Sequence, residues 1–191
     1  MTIDEIFAEH SAVAGRAARE LPPVLERIAL AMHACLRDGG KILACGNGGS
    51  ASDAQHAVAE LVGRFREERR ALAAIALTAD TATLTAVGND YGFERIFARQ
   101  VEALARPGDV LLAISTSGNS PNVVQAAQSA RALGCAVVAL TGARGGALAG
   151  TADLIVRAPS ETVARIQEVH SLCIHVICET LDALIRSQET R

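Results

Sequence analysis

His56 and Glu60 stand four residues apart, so on a helix they share one face and offer an imidazole and a carboxylate to one point. That pair is equipped for acid–base work or for holding a metal ion. Just upstream, Gly46-Asn47-Gly48-Gly49 ends the apolar run Lys41-Ile42-Leu43-Ala44-Cys45 and leads into Ser50 and Ser52, either of which would cap a helix well. A strand, a glycine turn and a helix N-terminus together make an anion site, because backbone N–H groups converge there and the helix dipole favours negative charge. A second cluster is Ser115-Thr116-Ser117-Gly118-Asn119-Ser120-Pro121, with four hydroxyls at the end of an apolar run and a proline suited to the next helix's first turn. Hydroxyls and helix N–H groups bind phosphate without a formal positive charge. The chain has a single lysine, Lys41, at the start of the first apolar run, which argues against Schiff-base, P-loop and pyridoxal-phosphate chemistry. What remains is a site for a small phosphorylated molecule, with an acid–base or metal pair beside it.

Holding these groups together requires strands that end at the two loops and helices that begin there. Apolar runs at 41–45, 72–77, 110–115, 136–140 and 153–156 alternate with helical stretches at 51–64, 79–87, 93–105, 122–133 and 162–187. Short, continuously apolar strands between helices predict a parallel sheet covered on both faces, an α/β fold. Ligands of such sheets bind beyond the C-terminal ends of the strands. The distinctive loops, with Thr141-Gly142-Ala143-Arg144-Gly145-Gly146 as the third, all follow strand ends. Residues 3–19 and 24–37 have helical apolar spacing on either side of Pro22-Pro23, and Gly39-Gly40 closes them. This N-terminal arm packs either on a partner subunit or on its own domain. On the last helix, His175 sits among Leu172, Ile174, Val176 and Ile177, the setting of a core histidine, and Gln167 alone carries no signal. The patch Arg64-Phe65-Arg66-Glu67-Glu68-Arg69-Arg70 mixes charges and reads as a solvated helix-to-strand loop.

At 191 residues, half of them apolar and 20% charged, the chain fits one domain with a sizeable core. A net charge of −3 gives no general attraction for nucleic acid or an anionic membrane. No apolar run reaches the roughly 20 residues of a membrane span, and the acidic start Met1-Thr2-Ile3-Asp4-Glu5 lacks a signal-peptide pattern, so a cytoplasmic protein is expected. Cys35, Cys45, Cys135, Cys173 and Cys178 fall in apolar patterns without a C-x-x-C pair, as buried reduced thiols do.

Four motifs in order, GNGGSASDAQH…AE, LTAVGNDYGFE, ISTSGNSPN and RIQEVH…H, span nearly the whole chain. In them the sequence resembles the sugar isomerase (SIS) domain family, most closely the bacterial sedoheptulose-7-phosphate isomerases, also called phosphoheptose isomerases. The resemblance implies a single SIS domain over 1–191, with a helical arm at 1–38 and an α/β core at 39–191. It implies a flavodoxin-like, five-stranded parallel sheet with flanking helices, and a homotetramer with active sites at subunit interfaces. Carried over, Asn47, Gly48, Gly49, Asn89 and Asp90 contact substrate, the last two from a GND turn. Ser115, Thr116, Ser117 and Ser120 hold the phosphate, and Glu60 and His175 form the acid–base pair. His56, Glu60, Gln167 and His175 match the zinc ligands of metal-bearing members, one zinc per subunit, with Glu60 and Gln167 also touching substrate. The implied reaction isomerises sedoheptulose 7-phosphate to D-glycero-D-manno-heptose 7-phosphate through a cis-enediol, toward the heptose of lipopolysaccharide or related activated heptoses.

Three points qualify that picture. A zinc-bound Glu60 would be a weaker base, so its two roles compete. Gln167 and His175 are eight residues apart, roughly 12 Å along a straight helix, so both reach one ion only if they come from different subunits or the helix is distorted. Some members carry an acid where this chain has Ala164, and Glu161 is then the carboxylate available to assist. A rival reading is a non-catalytic SIS scaffold that binds the bacterial replication initiator, which LLAISTSGNS, ALTG and ARIQE also resemble. Such a scaffold needs neither Glu60 nor His175. A sugar-phosphate-sensing regulator would usually bring a DNA-binding domain, for which this length leaves no room.

Overall fold

The computed structural model describes residues 2–66 and 68–189. Five parallel strands, β1 (Ile42–Gly46), β2 (Ala74–Ala76), β3 (Val110–Ser115), β4 (Ala136–Gly142) and β5 (Leu154–Ala158), form one sheet in the order β2-β1-β3-β4-β5. This flavodoxin-like order reverses direction between β1 and β3, which places the topological switch point at the two loops singled out above. The central strands β1 and β3 are buried throughout, and their side chains alternate between two cores. Ile42, Ala44, Val110, Leu112 and Ile114 point into one, and Leu43, Cys45, Leu111 and Ala113 into the other. The expected strand at 72–77 shrinks to three residues at the sheet edge.

The first core lies under α2 (Pro22–Arg37), α3 (Gly49–Val62) and α7 (Val163–Glu189), the second under α5 (Ala98–Leu104) and α6 (Pro121–Ala132). Thus α2 packs on its own domain, burying Leu25, Ile28, Ala29, Met32, Cys35 and Leu36. Helix α1 (Ile3–Glu20) buries only Val13 and Ala17 and leaves Ile3 and Phe7 exposed. Helix α4 (Thr81–Tyr91), capped by Asp80, buries no residue at all. It runs four residues past the expected end at 87, because Gly92 rather than Gly88 stops it, so Asn89 and Asp90 lie on its last turn and not in a turn of their own. The expected helix at 93–105 divides into a 3-10 turn (Phe93–Arg95) and α5. Among the described residues no helix is long and apolar enough to cross a membrane.

All five cysteines are free and buried, and burial pushes the Cys45, Cys173 and Cys178 thiols up to about 12, so they are inert as nucleophiles. Lys41 is paired with Asp109 and has no place in the loops at the strand ends. His170, fully buried, sets its Nε2 3.1 Å from the Thr141 carbonyl and so ties α7 to the end of β4. Burial lowers its imidazole to about 4. The unfolded chain takes up this proton below about pH 6.5 and the native state does not until about pH 4, so stability is complete above 6.5 and declines between those values. The cost reaches about 3 kcal/mol, at about 1.4 kcal/mol per pH unit. Denaturant titrations from pH 7 to 4.5 should show that slope, and His170→Gln should flatten it.

Candidate active site

The chain turns from β1 into α3 without the serine cap expected at Ser50 or Ser52. Helix α3 begins at Gly49 with Gly48 as its cap, and no side chain caps it. Gly48 has φ +56, a backbone that an L side chain resists, and the turn is closed by Ser50 N–H donating to the Asn47 carbonyl at 3.0 Å. Ser50, drawn inside the helix, is buried. The N-terminus of α3 therefore keeps its dipole and its first N–H groups clear of a competing side chain.

Opposite it, the loop after β3 gathers its hydroxyls. Ser115 Oγ lies 2.9 Å from Ser120 Oγ and 3.4 Å from Ser117 Oγ, while Asn119 N–H donates to Ser117 Oγ at 3.1 Å. Pro121 opens α6, as its fixed φ allows. The two loops are joined by a residue that the motif reading passed over. Asn122, almost fully buried, exchanges reciprocal amide hydrogen bonds with Asn47, at 2.8 and 2.9 Å. An asparagine in a helix's first turn is common, so its sequence position gave no reason to single it out.

On the second and third turns of α3 the acid–base candidates meet α7. His56 Nε2 is 3.1 Å from Glu60 Oε1 and 3.3 Å from His175 Nε2, and the three ligand atoms all lie within 4.8 Å of one another. A ring nitrogen carries either a proton or a lone pair, so His56 Nε2 cannot donate to the carboxylate while accepting from His175. A cation among three lone pairs removes the conflict. Zinc bonds of 2.0–2.2 Å in tetrahedral array put neighbouring ligand atoms about 3.3 Å apart, close to the spacings found. His175 is thus no core histidine. It is half-buried, its ring edge-on to His56 and tilted against Phe65 at 5.4 Å. One turn before His56, buried Asp53 accepts a hydrogen bond from Ser171 of α7 at 2.9 Å, and burial raises its carboxyl. Asp53, Ser171 and Phe65 were not among the expected site residues.

The remaining candidates are placed differently. Helix α7 is continuous α-helix from Val163 to Glu189, so it is not interrupted between Gln167 and His175. The Gln167 amide lies against Gly49, seven residues and roughly 10 Å along α3 from His56. Among the described residues it makes no hydrogen bond to the trio. Asn89 and Asp90 bond each other on exposed α4, with no hydrogen bond to either loop among the described residues, although Gly88 shares a cavity of about 420 Å³ with Asn47 and Gly48. Thr116 and Ser117 line a second cavity of about 320 Å³, where Glu161 is held by Arg144 in a two-point pair at 2.8 and 2.9 Å. Glu161 thus faces the cavity of the serine loop, paired with Arg144.

A Cβ on Gly49 would fall 2.2 Å from Gln167 Nε2. That atom is the mobile end of a side chain, so Gly49→Ala should displace the amide rather than unfold the helix. The expected outcome is a melting temperature within a few degrees of the parent and kcat/KM lower by about 10²-fold. An unchanged kcat/KM would place Gln167 outside the site.

The SIS domain family matches residues 6–142. The chain is similar to the phosphoheptose isomerase of Shewanella loihica, 55% identical over 176 residues that cover 91% of this chain and 89% of the relative. It is 54% identical to that of Thiobacillus denitrificans over the same shares. Among solved structures, a phosphoheptose isomerase from Francisella tularensis superposes with a TM-score of 0.93 at 46% identity, covering 96% of this chain and all of the other. One from Neisseria gonorrhoeae gives 0.90 at 47%, covering 95% and 97%. These comparisons give the scaffold reading no support.

Proposed function

This chain belongs to the phosphoheptose isomerase family of SIS domain proteins, and on that footing we propose that it isomerises sedoheptulose 7-phosphate to D-glycero-D-manno-heptose 7-phosphate. The observation that carries the proposal is the meeting of Glu60, His56 and His175 beside two loops built for an anion. In this reading Ser115, Thr116, Ser117 and Ser120 fix the phosphate at the N-terminus of α6, and Asn47, Gly48 and Gly49 line the sugar's path. Glu60 takes a proton from C1 of the ketose, exchanges it with solvent while a cis-enediol stands between the two steps, and delivers a proton to C2. His175 moves protons between the two oxygens. Where zinc is bound, His56, Glu60 and His175 would hold it, and its positive charge would polarise the substrate carbonyl. Lone pairs facing one another in the trio support a cation there.

We place this work in a homotetramer, with the chain acting as one SIS domain from 1 to 191. Exposed Ile3, Phe7 and Leu172, and a helix α4 with no fully buried residue, support packing against further copies. Asn89 and Asp90 would then complete a neighbour's site, while Gln167 lies beside Gly49 of its own chain. Reduced buried thiols suit the cytoplasm, and the product suits the first step toward lipopolysaccharide heptose. The test is NMR of sedoheptulose 7-phosphate incubated with the protein as purified, after chelation and after zinc is restored. Aldose formation lost on chelation and recovered with zinc is the expected outcome. No aldose under any of the three conditions would refute the proposal.

A further inference from the structure

The charged patch after α3 reads as solvated, yet its Arg69 side chain is 1% exposed and is paired at 2.6 Å with Asp182 of α7, itself 3% exposed. Arg69 Nη2 donates to the carbonyl of Glu60 at 2.7 Å, and Nη1 donates to that of Leu61 at 3.0 Å. These carbonyls belong to the last turn of α3, where a helix leaves acceptors unmatched and its dipole favours a cation. Asp182 lies seven residues, two turns, beyond His175, and so on the same face of α7. Its second oxygen accepts from Arg66 N–H at 3.2 Å. One guanidinium thus joins the peptide of the residue that carries the base to the helix face that carries the imidazole.

Buried ion pairs of this kind are often no better for stability than apolar residues of equal volume. What a rigid fork of donors adds is geometry. We infer that Arg69 and Asp182 are positioning residues, setting the distance and orientation between Glu60 on α3 and His175 on α7. The inference rests on the isomerase reading for its kinetic consequences but not for its structural ones. The serine loop lies at the ends of β3 and α6, away from this strut, so substrate capture should be insensitive to it while the proton transfers should not.

The variants are Arg69→Lys, which keeps the charge but not the fork, and Arg69→Met with Asp182→Leu, which fills the space without polarity. Each should melt within several degrees of the parent, hold KM for sedoheptulose 7-phosphate within about threefold, and lose about 10²-fold in kcat, as displacement of reacting groups by about 1 Å does. A second readout needs no substrate. Imidazole nitrogen NMR signals of His56 and His175 should shift in the substrate-free variants, while that of His33, on α2, stays put. Should the apolar pair fail to fold, the lysine variant decides alone. Parental kcat with unmoved His56 and His175 signals would overturn the inference. An inactive parent whose variants still move those two signals would sink the isomerase reading and leave the strut standing.

Discussion

Glu60→Gln should leave the protein folded and lower kcat on sedoheptulose 7-phosphate by about 10³-fold, with KM changed by less than about threefold. Glutamine has nearly the shape of glutamate but cannot accept a proton from carbon at neutral pH. The position tolerates the exchange because the Glu60 side chain is 23% exposed and the backbone carbonyl gripped by Arg69 is unaltered. The phosphate contacts assigned to Ser115, Thr116, Ser117 and Ser120 lie on other elements, so binding should persist where turnover does not. The same substitution also weakens one donor of the His56–Glu60–His175 trio, and zinc content measured beside kcat separates the two roles. Full zinc occupancy with lost turnover identifies the base. Parallel loss of both identifies a ligand, and full turnover removes Glu60 from the chemistry.

Gly118→Ala should raise KM by at least tenfold and also destabilise the fold. Gly118 has φ +67, and a Cβ there would stand 2.1 Å from the carbonyl oxygen of Gly145. The obstacle is backbone and cannot swing away. The serine loop is latched at that point to the loop after β4, with Leu148 N–H donating to the Gly118 carbonyl at 3.0 Å and Ala147 N–H to Asn119 Oδ1 at 2.8 Å. Left-handed strain and the broken latch together cost about 2–4 kcal/mol, which for a chain of this size lowers the melting temperature by about 5–15 °C. The hydroxyls of Ser115, Ser117 and Ser120 are held on one another by this loop, so their convergence loosens with it. Because the trio sits on α3 and α7, kcat at saturating substrate should stay within a few fold. A variant with parental KM would show that the serine loop does not hold the phosphate.

Much of this arrangement was legible in the sequence where it depends on local pattern. The runs behind β1, β3 and β4 are apolar because they are buried on both faces, and the i, i+4 spacing of His56 and Glu60 puts them on one side of α3 whatever surrounds it. The start of α3 was misjudged because a serine in first place looks like a cap, whereas Gly48 turns the chain directly and draws Ser50 inside. The helix placed at 79–87 runs on to Tyr91, with Gly88 inside it and Gly92 at its end. Long-range register was beyond local reasoning. His175 reads as a core residue until α7 is laid along α3, where Gln167 meets Gly49, Ser171 meets Asp53 and His175 meets His56. Only the family resemblance brought it forward. Arg69 is the extreme case, since its neighbours in sequence are charged and its partner Asp182 is 113 residues away.

The most direct test of the proposed chemistry is proton and carbon NMR of sedoheptulose 7-phosphate with the parent protein in D₂O. The Glu60 side chain is 23% exposed, so the proton it holds while the enediol stands exchanges with solvent, and the aldose should appear with deuterium at C2. Aldose lacking deuterium would contradict proton transfer through Glu60, and no aldose, with the C1 protons of the ketose untouched, would contradict the isomerase itself.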